Sequence, residues 1–138
     1  MNTTPSNTKA DYAALLLRVT CGLFFLAHAG MKIVVFTIPG TVAFFASLGL
    51  PGWLAYPVIA LELVGGIALI IGFYADFFAI LLALDLLGAI VTVHAKNGFF
   101  FTNPNGGWEY LALWIVALLA IYLLGNGAFA IQRSSKTA

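Results

Sequence analysis

The chain has 138 residues, of which 62% are hydrophobic and only 8% charged, with a net charge near neutrality. A soluble domain carries roughly a quarter charged residues, so there is too little polar side-chain material here to cover a water-facing surface, and the composition points to an integral membrane protein. The length leaves little room for a separate soluble catalytic module, and no basic stripe suggests nucleic acid as a partner.

In chain order, residues 1–11 form a polar tail. The first apolar segment behind it, about Tyr12 to Val35, is too long for a signal-peptide core and is read as a retained span. Hydrocarbon about 30 Å thick needs around 20 apolar residues in a helix. Three further stretches satisfy that: about Trp53 to Phe73, Asp76 to His94 and Trp108 to Leu124. The runs are continuously apolar rather than alternating, which argues for helices over a β-barrel. The expected fold is an all-α four-helix bundle over 12–131, closed by a polar tail at 132–138. Between the first two spans, Val42 to Leu48 reads as a short interfacial helix, bounded by Pro39-Gly40 and Pro51-Gly52 and stopped by Gly49. The tight link from Gly72 to Asp76 makes the second and third spans antiparallel neighbours, with Asp76 expected as the N-cap of the third. The connection from Lys96 to Gly107 pairs Phe99-Phe100-Phe101 with Asn-Pro-Asn-Gly-Gly turn residues, and is expected to dip into the interface or cap the bundle.

Lys9, Arg18, Arg133 and Lys136 lie toward the chain ends, against Lys32 and Lys96 on the other side. The positive-inside rule then places both termini in the cytoplasm and the two long connections outside.

Charges inside spans are costly and must be paired or hydrated. Arg18 lies about 9 Å into the first helix, and Glu62 and Asp85 lie near the middles of the second and third. Their depths suggest an ion pair with Arg18, either structural or serving as a proton or substrate site. Arg18, Gly22, Phe25, Ala29 and Lys32 share one face of the first helix, and Glu62 and Gly66 share one on the second. The two faces are expected to meet, with glycines permitting close approach. A second group, His28, Lys32, His94 and Glu109, falls at similar depth near the outer end. It is a candidate pocket for a quinone headgroup or another small polar group. Simpler readings exist for these residues: Lys32 as snorkelling, and Glu109 as complementing its helix N-terminus. The spacing of the two histidines and Glu109 matches no metal motif, so no metal is assigned. Cys21 stands alone, which precludes an intrachain disulfide or dithiol redox pair; it reads as packing.

Several stretches resemble the DoxX family. They are Leu17-Arg18-Val19 leading to Phe25-Leu26-Ala27-His28-Ala29-Gly30-Met31-Lys32, then Phe44-Phe45-Ala46-Ser47-Leu48-Gly49-Leu50-Pro51, then Leu61-Glu62-Leu63-Val64-Gly65-Gly66 followed by Gly72. Val93-His94, Asn97-Gly98-Phe99-Phe100 and Gly107-Trp108-Glu109-Tyr110 complete the ordered set, over about residues 12 to 131. The resemblance implies a bacterial inner-membrane bundle of four helices. It also implies a link to oxidoreductase systems, since the related DoxD is a subunit of a thiosulfate:quinone oxidoreductase. A membrane subunit of an oxidoreductase, with quinone as possible ligand and a redox protein or second membrane subunit as partner, is the leading expectation. Distant relatives on similar bundles act as assembly factors or cargo receptors, so a non-enzymatic scaffold is the alternative, and a small transporter, working as a homo-oligomer, is a third.

Overall fold

In a computed structural model the structure describes residues 6–132, and within these the chain is all-helical. Arg133 and Lys136, used above to orient the termini, lie outside the described residues. The helices are α1 (Lys9–Gly30), α2 (Ile38–Ser47), α3 (Ala55–Ile71), α4 (Ala75–Ala89) and α5 (Glu109–Leu124). The expected spans correspond to α1, α3, α4 and α5, and the expected interfacial helix to α2.

Among the described residues, three helical stretches are long and apolar enough to cross a membrane: Lys9–Val35, Gly52–Ile71 and Ala75–Asn97. With 16 residues α5 is shorter. The four longer helices pack in a ring, α1 against α3 and α5, and α4 against the same two.

Local chemistry sets the ends. α1 begins three residues before the expected position because Thr8 and Asp11 form a capping box, Asp11 N–H donating to Thr8 Oγ1 and Thr8 N–H to Asp11 Oδ2. Thr37 caps α2 through the Gly40 N–H, with Pro39 in the first turn where its missing N–H costs nothing. The link after α3 turns on Gly72, whose left-handed backbone (φ +72°) suits glycine. Asp76 is not the N-cap of α4. Tyr74 holds that position, and the Asp76 carboxylate accepts from the Phe77 N–H inside the first turn.

Both α1 and α4 loosen into one π-turn at the same end of the molecule, Met31–Val35 and Ile90–His94. The Phe36 N–H donates to Met31 O at 2.9 Å, five residues back. Single π-turns of this kind recur at functional sites because the extra residue re-aims its neighbours.

α1 and α3 run antiparallel at glycine-limited distance. A Cβ on Gly22 would lie 2.6 Å from Gly66 O and 2.7 Å from Ile70 Cγ1. The two small-residue faces therefore do meet, in the sense expected from the sequence. At the far end from the π-turns, the chain after α5 folds back across the molecule. Ala128 N–H donates to Asp11 O (3.0 Å), and Ile131 and Gln132 N–H donate to Ile71 O (3.0 Å) and Gly72 O (3.2 Å). The end of α5, the start of α1 and the end of α3 are thus stitched together.

Candidate functional site

The intramembrane charges separate into two places. Arg18 is fully buried and does not pair with Glu62 or Asp85. Its Nε donates to Asn126 O (2.7 Å), Nη1 to Leu69 O (3.1 Å) and Ile70 O (2.7 Å), and Nη2 to Ala128 O. The guanidinium fork thus joins the open carbonyls of the α3 C-terminus, where the helix dipole favours a cation, to the returning C-terminal segment. The expected Arg18–Glu62 pair fails for a geometric reason. In the register set by Gly22 and Gly66, Glu62 stands level with Leu26, about 12 Å along α1 from Arg18. Helix side chains also lean toward their own N-terminus, which carries the Arg18 head away from Glu62.

The same lean brings Lys32 back toward Glu62. Lys32 Nζ lies 2.8 Å from both Glu62 carboxylate oxygens, with side chains 19% and 5% exposed. Asp85 interacts electrostatically with both Lys32 and Glu62, so that α1, α3 and α4 each contribute one charged group. One ammonium therefore serves two carboxyl groups, and a carboxyl that is protonated becomes a hydrogen-bond donor as well as an acceptor.

This triad lines a cavity of about 730 Å³ at the π-turn end. His28 and His94 also line it, whereas Glu109 does not. Glu109 instead accepts the Phe101 N–H (3.2 Å) and holds the aromatic connection in place. Of the sequence candidates, His28, Lys32, Glu62, Asp85 and His94 therefore converge, while Arg18 and Glu109 have other work. Among the described residues, no three His, Cys, Asp or Glu side chains are arranged to hold a metal ion.

The remaining walls are mostly apolar. Phe44 and Phe45 of α2 with Leu48 just after it form one side, and Tyr110 and Trp114 of α5 another. The Trp114 ring packs on Phe25 (centroids 4.4 Å apart) and His28 (5.2 Å). Its buried N–H has no nitrogen or oxygen acceptor and lies by the Cys21 sulfur, a weak acceptor at best. His94 Nδ1 lies 3.0 Å from Gly106 O. A carbonyl only accepts, so Nδ1 carries the hydrogen, and Nε2 is the acceptor of the neutral ring. Asn97 donates to the same carbonyl (3.0 Å) and to Asn105 O (3.1 Å), which ties the 98–107 connection to the end of the third span. Phe99, Phe100 and Phe101 remain 47–61% exposed, so they do not fill the core beneath them.

The π-turns and the α2 wall were not foreseen as site elements. Lys32 and His94 each sit inside a π-turn, and the Thr41 hydroxyl on α2 lies 3.0 Å from Lys32 O and 2.9 Å from Thr37 O. Periodicity at 3.6 residues carries no signal for a π-turn. The Pro-Gly boundaries located α2 but said nothing of which face it covers.

The DoxX family profile matches residues 13–95. The chain belongs to the DoxX family. The match takes in His28, Lys32, Glu62, Asp85 and His94, and stops short of Glu109. A Bacillus subtilis protein named "Putative oxidoreductase CatD" is 37% identical over 122 residues, covering 88% of this chain and 84% of that one. A Haemophilus influenzae protein named only "Uncharacterized protein" is 33% identical over 127 residues, covering 91% and 90%. No solved structure matches. This DoxX chain is accordingly a membrane protein whose apolar helices contact the lipid bilayer.

Proposed function

We propose that this DoxX protein is a four-span subunit of an oxidoreductase system in the bacterial inner membrane, holding a quinone-type headgroup in the cavity near the outer face. The observation that carries this reading is the Lys32–Glu62–Asp85 triad on the wall of an otherwise apolar cavity. A few convergent polar groups in an apolar cleft are the usual form of a small-molecule site. A quinone needs an apolar slot for its ring, donors for its carbonyl oxygens, and a proton for each oxygen on reduction. Lys32 is the donor, the carboxyl pair holds a proton, and His28 and His94 extend the polar edge. Reduction to quinol takes two electrons and two protons. Cys21 alone cannot cycle as a dithiol, so the electrons come from a redox centre on a partner chain. The name carried by the Bacillus relative agrees with this class of chemistry.

The test is native mass spectrometry of the protein taken gently from its own membrane. The expected result is a co-purifying quinone, lost in Asp85→Asn and in the paired variant Lys32→Met/Glu62→Gln, and kept in Glu109→Ala. Ligand-free protein carrying a second polypeptide would replace this reading with a scaffold role, for which the exposed Phe99–Phe101 loop is the natural contact.

A further inference from the structure

Asp85 faces the cavity, while Leu84, one residue earlier and turned by about 100° on the helix, is 59% exposed. Both Leu84 and Gly88 nevertheless line the cavity, and Gly88 is exposed as well. These positions lie well inside the Ala75–Asn97 stretch. A side chain exposed there meets acyl chains rather than water. A second, shallower groove of about 210 Å³ runs between α4 and α5, lined by Ile80, Ala83, Leu84, Leu87, Ile115 and Leu119. Leu84 belongs to both. The polar cavity and the apolar groove are therefore adjacent, with the shared residue at their border, and nothing fills the space beside Gly88: a Cβ there would meet no atom within 4 Å.

We infer that the cavity's ligand is a tailed amphiphile entering from the bilayer, its headgroup at the triad and its hydrocarbon tail leaving through the gap at Leu84 and Gly88 into the α4–α5 groove. The inference rests on the headgroup reading above and adds the ligand's second half. A water-soluble ligand would have no use for a lipid-facing exit at mid-span. A wholly apolar one would have no use for the triad. Only a molecule with a compact polar head and a long apolar chain uses both features together.

The experiment compares quinones with and without a long isoprenoid tail, using both benzoquinone and naphthoquinone headgroups, by equilibrium binding to the full-length protein in nanodiscs. Gly88→Leu fills the gap, Leu119→Trp fills the groove, and thermal unfolding of each variant is the folding control. In Gly88→Leu the affinity for the tailed form is expected to fall about tenfold, the order that displacing an added side chain costs, while tail-less affinity is unchanged. Leu119→Trp is expected to weaken the tailed form alone. Equal losses for the two forms, or none for the tailed one, would overturn the tail path while leaving the headgroup site intact. Failure of every quinone to bind wild-type protein would remove the headgroup reading and this inference with it.

Discussion

A guanidinium carries five donors in a rigid fork and cannot shed its charge in a protein. Arg18 uses this to gather the carbonyls of Leu69, Ile70, Asn126 and Ala128 in a site fully closed to solvent. Hydrogen bonds to a charged donor each contribute about 1.5–3 kcal/mol, and an acceptor left buried without a partner adds a further cost. Arg18→Met is therefore expected to destabilise the fold by roughly 3–5 kcal/mol. Arg18→Lys, with a point charge in place of a fork, should lose about half as much. Thermal unfolding in detergent checks both, and a variant as stable as wild type would show that the carbonyls find other donors. The sequence announced Arg18, Glu62 and Asp85 as costly residues without announcing their partners. Counting depth along each helix treated Arg18 and Glu62 as level. Their actual separation follows from the α1–α3 register and from the lean of helical side chains, and only the second of these is knowable without a structure. Applied to Lys32, it would have drawn that residue toward Glu62. The three-way arrangement with Asp85 required knowing how α3 and α4 face each other.

At the level of elements, helix boundaries were legible to within a few residues, because spans are set by apolar length and ended by Pro, Gly and capping residues. The meeting of Gly22 with Gly66 was also legible, since small residues on a polar stripe suit close packing. It predicts an asymmetry among glycines. A side chain at 22 would press on Gly66 O and Ile70, whereas a Cβ at Gly30 meets nothing within 4 Å. Gly22→Val should cost about 1–3 kcal/mol by forcing α1 and α3 apart. Gly30→Ala should stabilise by up to about 1 kcal/mol through helix propensity. Chemical denaturation of the two variants side by side checks this, and equal effects would mean that α1 and α3 do not depend on close contact. The π-turns remained invisible. Each inserts one residue at the end of an otherwise regular apolar helix, where hydrophobic periodicity has nothing to register. The C-terminal segment after α5 was also read only as the bundle's end and tail. Its role depends on backbone hydrogen bonds to Asp11, Ile71 and Gly72, which no side-chain pattern encodes.

For the whole molecule, the decisive question is whether α5 crosses the bilayer. Its 16 residues extend about 24 Å, short of a typical hydrocarbon thickness near 30 Å. Local thinning of the bilayer accommodates a mismatch of this size at modest cost. The Ala128 N–H bond to Asp11 O joins the region after α5 to the start of α1, and Arg18 spans the same junction. A bond of 3.0 Å places the two ends at one membrane face. Three crossings would put them at opposite faces, whereas four bring them together. This supports the four-span reading, with α5 as the short fourth span. On the proposed topology the positive-inside rule makes the shared face cytoplasmic. Reporter fusions decide the matter. A fluorescent protein that matures only in the cytoplasm should light when fused after residue 138, and alkaline phosphatase at the same place should be inactive. Phosphatase inserted in the 98–107 connection should be active. Active phosphatase at the C-terminus together with a cytoplasmic N-terminus would mean an odd number of crossings, leaving α5 on the surface and the cavity without its Trp114 wall inside the membrane.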